Sequence, residues 1–254
     1  MSTVSKETDA IVLECFDHGE SDKIVTFFSE NHGRITGIAK GANRSKKRFL
    51  NKLELFSHIT LRYSEKQRSS LVFIAEAELH SSHIQLRRNY ERYIAATFIR
   101  EILLIATTER EEDREIYSLL LWSLQAIDEG RDPLGTTIIL LLRLFQRLGY
   151  QPALLDCRSC AAPFTSKRSY RFHHMAGGLI CDNCARDAAG GAADLSTGTI
   201  RILQSAMSEP VERLHRLHFS RQAQNQALTM LHRYGRNIFQ REIHSWKAMR
   251  GLMQ

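Results

Sequence analysis

The chain has 254 residues, 43% of them hydrophobic, which is enough apolar material for a real core and excludes wholesale disorder. Lys and Arg total 35 against 28 Asp and Glu, a formal charge of +7, which suits a nucleic acid or another anionic partner. The most apolar run, Ile138–Leu142, ends at Arg143 and is far too short to span a bilayer, and the polar stretch Met1–Asp9 does not read as a secretory leader.

The first eighty residues read as short strands. Ala10–Phe16 is rich in Ile, Val, Leu and Phe and is followed by the polar turn His18–Asp22. Lys23–Ser29 is a second strand, Asn31-His32-Gly33 has hairpin chemistry, and Arg34–Ala39 returns as a third. Leu53–Tyr63 and Leu71–Leu79 supply two more, parted by Ser64–Ser69. Five short strands in this space predict a small barrel, of OB or SH3-like type, and the strand count does not choose between them. Cys15 falls in the first strand and reads as a small core residue.

Arg34, Lys40, Arg44, Lys46, Lys47, Arg48 and Lys52 cluster around the third strand and the stretch after it, and no acid stands between Glu30 and Glu54. Gly41 and Asn43 suggest a mobile loop. Such a loop suits a phosphate backbone, where each neutralised phosphate releases counterions, with Phe49 placed to stack on a base. The bland alternative is a solvated loop without a ligand, but seven cations without an acid favour nucleic acid.

From Ser82 the period becomes helical. Tyr90, Ile94, Phe98, Ile102 and Ile105 share one face, and Ile116, Leu120, Leu124 and Ile127 share another that ends near Gly130. Glu111-Glu112-Asp113 sits at the start of the second helix, where capping explains it. Asp132-Pro133 opens a helix over Leu134–Leu148 that is apolar nearly all round and therefore central. Ser196 caps a helix through Met207, Glu209–Leu217 is a short helical piece, and Ser220 caps Arg221–Phe239. Arg213, Arg216, Arg221, Arg233, Arg236, Arg241 and Lys247 make this tail basic. Exposed helix faces explain them at least as well as a second nucleic-acid patch does.

Between these helices stand Cys157-Arg-Ser-Cys160 and Cys181-Asp-Asn-Cys184. Two C-x-x-C pairs at this separation predict a four-thiolate zinc site, against the alternatives of two disulfides or unrelated thiols. Four thiolates close the tetrahedron, so the site reads as structural. Gly177-Gly178 permits a tight turn into the second pair, and Phe164, Tyr170 and Phe172 suit a small hairpin between the two. Ala188–Ala193 reads as a short linker. The thiols also point to a reducing cytoplasm.

No phosphate-binding G-x-x-x-x-G-K-[ST], no G-x-S-x-G and no H-E-x-x-H occurs. His18-Gly19-Glu20 with Cys157 and Cys160 formally echoes a zinc-deaminase pattern. The separation is about 140 residues, however, Asp156 stands where a proline is needed, and Cys181 and Cys184 would be idle.

Two blocks resemble the bacterial RecO family of DNA repair proteins. The first is Ile11-Val-Leu, His18-Gly19-Glu20-Ser-Asp22-Lys-Ile24-Val25, Asn31-His-Gly33-Arg-Ile35 and Ala39-Lys40-Gly41-Ala42. The second is Leu148-Gly149-Tyr150-Gln-Pro152 followed by the cysteine pairs and Gly177-Gly178-Leu-Ile. The order of elements agrees from about residue 8 to 245. The resemblance implies an α+β protein with an N-terminal OB-fold barrel over residues 1–80. A helical domain follows over residues 81–254, with a zinc-finger insert at 155–187. It implies a recombination mediator rather than an enzyme, cytoplasmic and associated with the nucleoid. Such a protein binds single- and double-stranded DNA and anneals complementary strands. With RecR, and often RecF, it helps load RecA onto DNA coated by single-stranded-DNA-binding protein, whose acidic C-terminal tail it can grip. Arg143 and Arg147 are candidates for holding that tail. The rival class is a zinc-finger adaptor for proteins in which DNA binding is incidental.

Overall fold

A computed structural model describes residues 5–65, 69–185 and 192–254. The chain divides into two compact units, one running up to Ala96 and including Ile102–Gly130, the other made of Thr97–Glu101 and Arg131–Gln254.

In the first unit, β1 (Ser5–His18), β2 (Asp22–Ser29), β3 (Gly33–Ala39), β4 (His58–Ser64) and β5 (Val72–Ser81) close into a barrel in the order β1-β2-β3-β5-β4. This is the OB-like sheet the sequence leads one to expect. The long β1 makes closure possible. Its first half pairs with β4 from Ser5↔Ser64 to Ile11↔His58, and its second half pairs with β2 from Ala10↔Ser29 to His18↔Asp22, with a bulge between Val12 and Glu14. Strand alternation sends Val12, Val25, Phe27, Ile35, Ile59, Leu61, Val72 and Ile74 into one apolar core, and Cys15 packs against it.

The closing seam is short. β3 and β5 pair in parallel only at Gly37↔Val72 and Ile38↔Phe73. Beyond them, among the described residues, no strand pairs with β5 on that side, and residues 40–57 fill the gap. This segment is not the mobile loop that Gly41 and Asn43 suggest. The Asp22 carboxylate accepts the Gly41 N–H at 2.8 Å, and the Ser21 carbonyl accepts the Asn43 N–H at 2.9 Å. Ala42, Phe49 and Leu53 plug the barrel core. The strand predicted from Leu53 therefore starts only at His58. Leu53 and Phe56 both turn inward, and Phe56 has φ +69°, which extended backbone does not allow.

This unit also carries a 3-10 turn (Ala42–Arg44) and the helices α1 (Ile84–Arg88), α2 (Tyr90–Ala106), whose residues 97–101 group with the second unit, and α3 (Arg114–Asp128). Asp113 caps α3, its Oδ1 accepting the Ile116 N–H at 3.0 Å, so the acidic run does have a capping member.

The second unit is built on α4 (Pro133–Arg147), α6 (Thr197–Ser208) and α7 (Arg221–Phe239). Asp132, Ser196 and Ser220 cap them as their sequences indicate. α4 is buried over most of its circumference, as an all-round apolar helix must be. Glu209–Leu217 is a 3-10 turn over Val211–Arg216. The sequence pattern misses α8 (Trp246–Gly251). Its entry is held from a distance, because the Glu101 carboxylate accepts the backbone N–H groups of His244 and Ser245, each at 2.7 Å. No local signal encodes such a cap.

The cysteine region is more than a hairpin between two knuckles. β6 (Ala153–Cys157), β7 (Tyr170–His173), β8 (Gly178–Cys181) and β9 (Ala192–Leu195) form a four-stranded sheet in the order β6-β8-β7-β9, with the short α5 (Asp182–Ala185) after β8. The expected hairpin is β7–β8, flanked by a parallel and an antiparallel strand. Of the expected linker, residues 188–191 lie outside the described residues, while Ala192 and Ala193 belong to β9.

Candidate metal centre and cationic surface

The four cysteines converge. Cys157 ends β6, Cys160 lies in the turn that follows, Cys181 ends β8 and Cys184 sits in α5. Their Sγ atoms all lie within 4.8 Å of one another, and among the described residues no histidine or carboxylate joins the group. All four are free thiols, which removes the disulfide alternative. The Cys160–Cys181 Sγ separation is 3.8 Å, equal to the edge of a tetrahedron of about 3.8 Å drawn around an ion with bonds of about 2.3 Å to sulfur.

Local backbone geometry builds the cage. The Cys157 N–H donates to the Ala162 carbonyl and the Ala161 N–H to the Cys157 carbonyl, closing the first knuckle at 2.9 and 2.8 Å. The Cys181 N–H donates to Cys157 Sγ at 3.3 Å and so ties the second knuckle to the first. Gly177 enters β8 with φ +64°. At Gly178 a Cβ would meet the Ala153 carbonyl oxygen at 2.8 Å, so only glycine lets β6 lie this close. Phe172 packs edge-on against Tyr234 of α7, with centroids 5.4 Å apart, and Tyr234 in turn meets Phe145 of α4, which roots the sheet in the helical core.

The thiols differ in acidity. Burial raises the Cys157 pKa, but N–H groups of Cys181, Cys160 and Ser159 and the Cys160 side chain outweigh it and bring the thiol down to about 6. Cys184 gains a lowering contact from the Ser159 hydroxyl. Hydrogen bonds with Cys181, Cys160 and Cys157, together with desolvation, override that contact and push Cys184 up to about 12. Crowded sulfurs compete for protons in this way until a cation offsets their charge. The arrangement could hold a metal ion through four sulfurs, which would leave no position for a reacting water.

The seven cations of the barrel region divide sharply. Arg34 points outward from β3 and donates to the Leu104 carbonyl at 2.6 Å, in the last turn of α2, where the helix dipole favours positive charge. Arg48 donates to the carbonyls of Lys40 and Ala75 at 3.1 and 3.5 Å. Lys52 donates to those of Lys47 and Ala77 at 2.8 and 2.7 Å. Ala75 and Ala77 belong to β5 beyond the seam with β3, so these side chains satisfy acceptors left without a strand partner. Lys40, Arg44, Lys46 and Lys47 are exposed; Arg44 faces Glu20 at 3.5 Å with both side chains largely in solvent, and the charge of Lys40 acts on the Asp22 carboxylate. Phe49 does not meet the place the sequence suggests for it. It is 3% exposed in the barrel core, with the Arg48 guanidinium over its ring.

The basic tail is mostly engaged. Arg221 donates to the carbonyls of Leu252 and Gln254, Arg236 pairs with Glu242, and Arg213 pairs weakly with Glu209 at 4.0 Å. Arg233, Arg236 and Arg241 line an open cleft of about 710 Å³ with His174 and Met175. On α4, Arg143 donates to the Glu209 carbonyl and burial lowers its pKa, while Arg147 is exposed.

Comparison with known proteins covers nearly the whole chain. The model of the recombination protein O N terminal matches residues 1–83, and that of the recombination protein O C terminal matches residues 87–247. The chain is 31% identical to the DNA repair protein RecO of Syntrophus aciditrophicus over 244 residues, covering 96% of this chain and 94% of that one. It is also 31% identical to that of Syntrophobacter fumaroxidans over 242 residues, covering 95% and 96% respectively. Similarity to the RecO of Syntrophotalea carbinolica reaches 36% over 177 residues, covering 70% and 68%.

Proposed function

This chain belongs to the RecO family, which places it in DNA repair and recombination, and from that premise we propose that it is a DNA-binding recombination mediator that makes and breaks no covalent bond. It holds two strands close, lowers their mutual repulsion and lets complementary bases meet. In the cell it acts in the cytoplasm at the nucleoid. Together with RecR and RecF it helps RecA replace the single-stranded-DNA-binding protein, and it grips that protein's acidic tail. Residues 1–80 form its nucleic-acid-binding domain and residues 81–254 its helical domain with the finger insert at 155–187.

One observation carries this reading. Lys40, Arg44, Lys46 and Lys47 are exposed on a segment that Phe49, Leu53, Arg48 and Lys52 anchor. Fixed cations neutralise phosphates without a large loss of chain entropy on binding. Arg34, Arg48 and Lys52 then act by holding the surface that the other four present. Cys157, Cys160, Cys181 and Cys184 hold Zn2+, whose role is to keep the sheet folded; four sulfur donors favour this ion over hard cations. Among the described residues no helix is long and apolar enough to cross a membrane.

The test is DNA affinity measured across salt concentrations, with strand annealing followed in the same samples. Lys46→Glu with Lys47→Glu should slow annealing and flatten the salt dependence. A wild-type protein that ignores DNA at low salt yet takes the acidic tail peptide would return the adaptor reading and sink this one.

A further inference from the structure

The second unit holds a cleft that neither the metal cage nor the barrel cations explain. His174 and Met175, which follow β7, and the last turns of α7 line the same open space of about 710 Å³. Its two sides are tied together, because Asn237 Nδ2 donates to the His174 carbonyl at 3.3 Å. Gln240 ends α7 in the left-handed region at φ +51°, and its side-chain amide donates to the Asn237 carbonyl at 2.6 Å. The end of the helix is therefore fixed against the turn.

The charges in this cleft do not balance. Arg233, Arg236 and Arg241 bring three positive charges, and among the described residues Glu242 is the only acid in the lining. Glu242 pairs with Arg236. The carbonyl end of α7 adds the equivalent of about half a negative charge. That end explains one arginine, but three leave a surplus of more than one charge. All three are exposed. Arg233 reaches the Ala192 carbonyl only at 3.5 Å, and among the described residues Arg241 has no hydrogen-bond or ionic partner. His174 adds no charge at neutral pH, because burial, His173 and Arg233 hold its pKa below the usual range. Its Nδ1 is shielded from solvent and has no hydrogen-bond partner among the described residues.

We propose that this cleft binds the polyphosphate group of a small molecule, either free pyrophosphate or the tail of a nucleoside di- or triphosphate. The space has the size of a small-molecule site, and its lining is almost wholly polar. Guanidinium forks match phosphate oxygens in pairs. A single phosphate would fill a fraction of the space and use one or two forks, whereas linked phosphates reach all three. Linked phosphates also pack more charge into the same space than the carboxylates of a peptide do. Arg233 and Arg241 hold the phosphates, while Glu242 positions Arg236, whose remaining donors join them. Met175, 69% exposed, offers an apolar surface to a base where one is attached. The site is one of binding, and it stands apart from the nucleic-acid reading of the barrel.

The experiment is calorimetric titration of the full-length protein at low salt with pyrophosphate, adenosine triphosphate, adenosine, sulfate and a glutamate-rich peptide. Pyrophosphate and the triphosphate should bind, and adenosine should not. Tighter binding of the triphosphate identifies a nucleotide as the ligand; equal affinities identify the free polyphosphate. Arg241→Gln and Arg233→Gln should each weaken both by about tenfold or more. Both side chains are exposed, so thermal unfolding should stay at the wild-type midpoint, which separates lost contacts from lost structure. Lys46→Glu with Lys47→Glu should leave both ligands bound as before while DNA binding weakens, which keeps this site distinct from the barrel surface. The proposal is overturned if neither phosphate compound binds, or if sulfate or the peptide binds as tightly as pyrophosphate. Wild-type affinity of both arginine variants overturns it as well. So does duplex DNA that displaces the triphosphate and loses affinity in Arg241→Gln, because the cleft would then belong to DNA.

Discussion

Residues 40–57 of the barrel, which hold a single 3-10 turn, and residues 157–184 of the second unit, which are built on short strands, are held by different chemistry. In the first, Ala42, Phe49 and Leu53 enter the apolar core and two cations cap open carbonyls of β5. In the second, Tyr170 and Phe172 of β7 and Leu179 and Ile180 of β8 are buried, and four sulfurs gather within 4.8 Å. Apolar anchorage tolerates losses one residue at a time, because each side chain contributes a few kcal/mol by itself. A metal cage does not, because its ligands act as a set. Robustness to single substitutions should therefore differ between the two.

Breaking the cage should have the largest effect. Cys181→Ser, or a chelator acting on the wild type, should remove on the order of 10 kcal/mol of local folding free energy. The exposed Arg158, Lys167, Arg168 and Arg171 should then become cleavable by trypsin while the barrel stays resistant, as mass spectrometry of the fragments would show. Lowering the pH should release the ion in the same way, because protons compete for the sulfurs. A Cys181→Ser protein that keeps its metal and its protease resistance would contradict the set-like behaviour. Next in size comes Phe49→Ala. Emptying that core position should cost about 3–5 kcal/mol in denaturant unfolding and leave the salt slope of DNA binding untouched. A lost slope with unchanged stability would mean that Phe49 serves DNA after all.

The same contrast explains what the sequence could and could not reveal. The convergence of cysteines 157, 160, 181 and 184 was legible because each C-x-x-C turn sets two sulfurs side by side, and the fold only had to bring the two pairs together. The helix caps Asp113, Asp132, Ser196 and Ser220 were legible because each acts within one turn. A run of cations carries no such constraint. Nothing local says that Lys52 will reach the carbonyls of Lys47 and Ala77 while Lys46 and Lys47 stay in solvent; that depends on where the β3–β5 seam ends. Phe49 looked available because its neighbours are charged, and its burial follows from the plug it forms with Leu53. Likewise α8 needs a cap from Glu101, 144 positions away from Ser245.

The smallest stability effects divide the cations themselves. Lys52→Met keeps the aliphatic stem but removes the donor to two carbonyls, so it should destabilise the protein by about 1–3 kcal/mol. Its salt slope should remain wild type, because its charge is already engaged inside the protein. Lys46→Gln with Lys47→Gln should do the reverse. Both side chains are exposed, so stability should move by less than about 0.5 kcal/mol. The slope of log affinity against log salt for single strands should fall by about 1.4, about 0.7 for each phosphate no longer neutralised. Measuring unfolding and salt-dependent binding on the two variants side by side tests the division directly. If Lys52→Met flattened the slope as much as the Lys46 and Lys47 change did, the carbonyl contacts of Lys52 would have to open on binding, and the barrel segment would be a yielding surface rather than a fixed one.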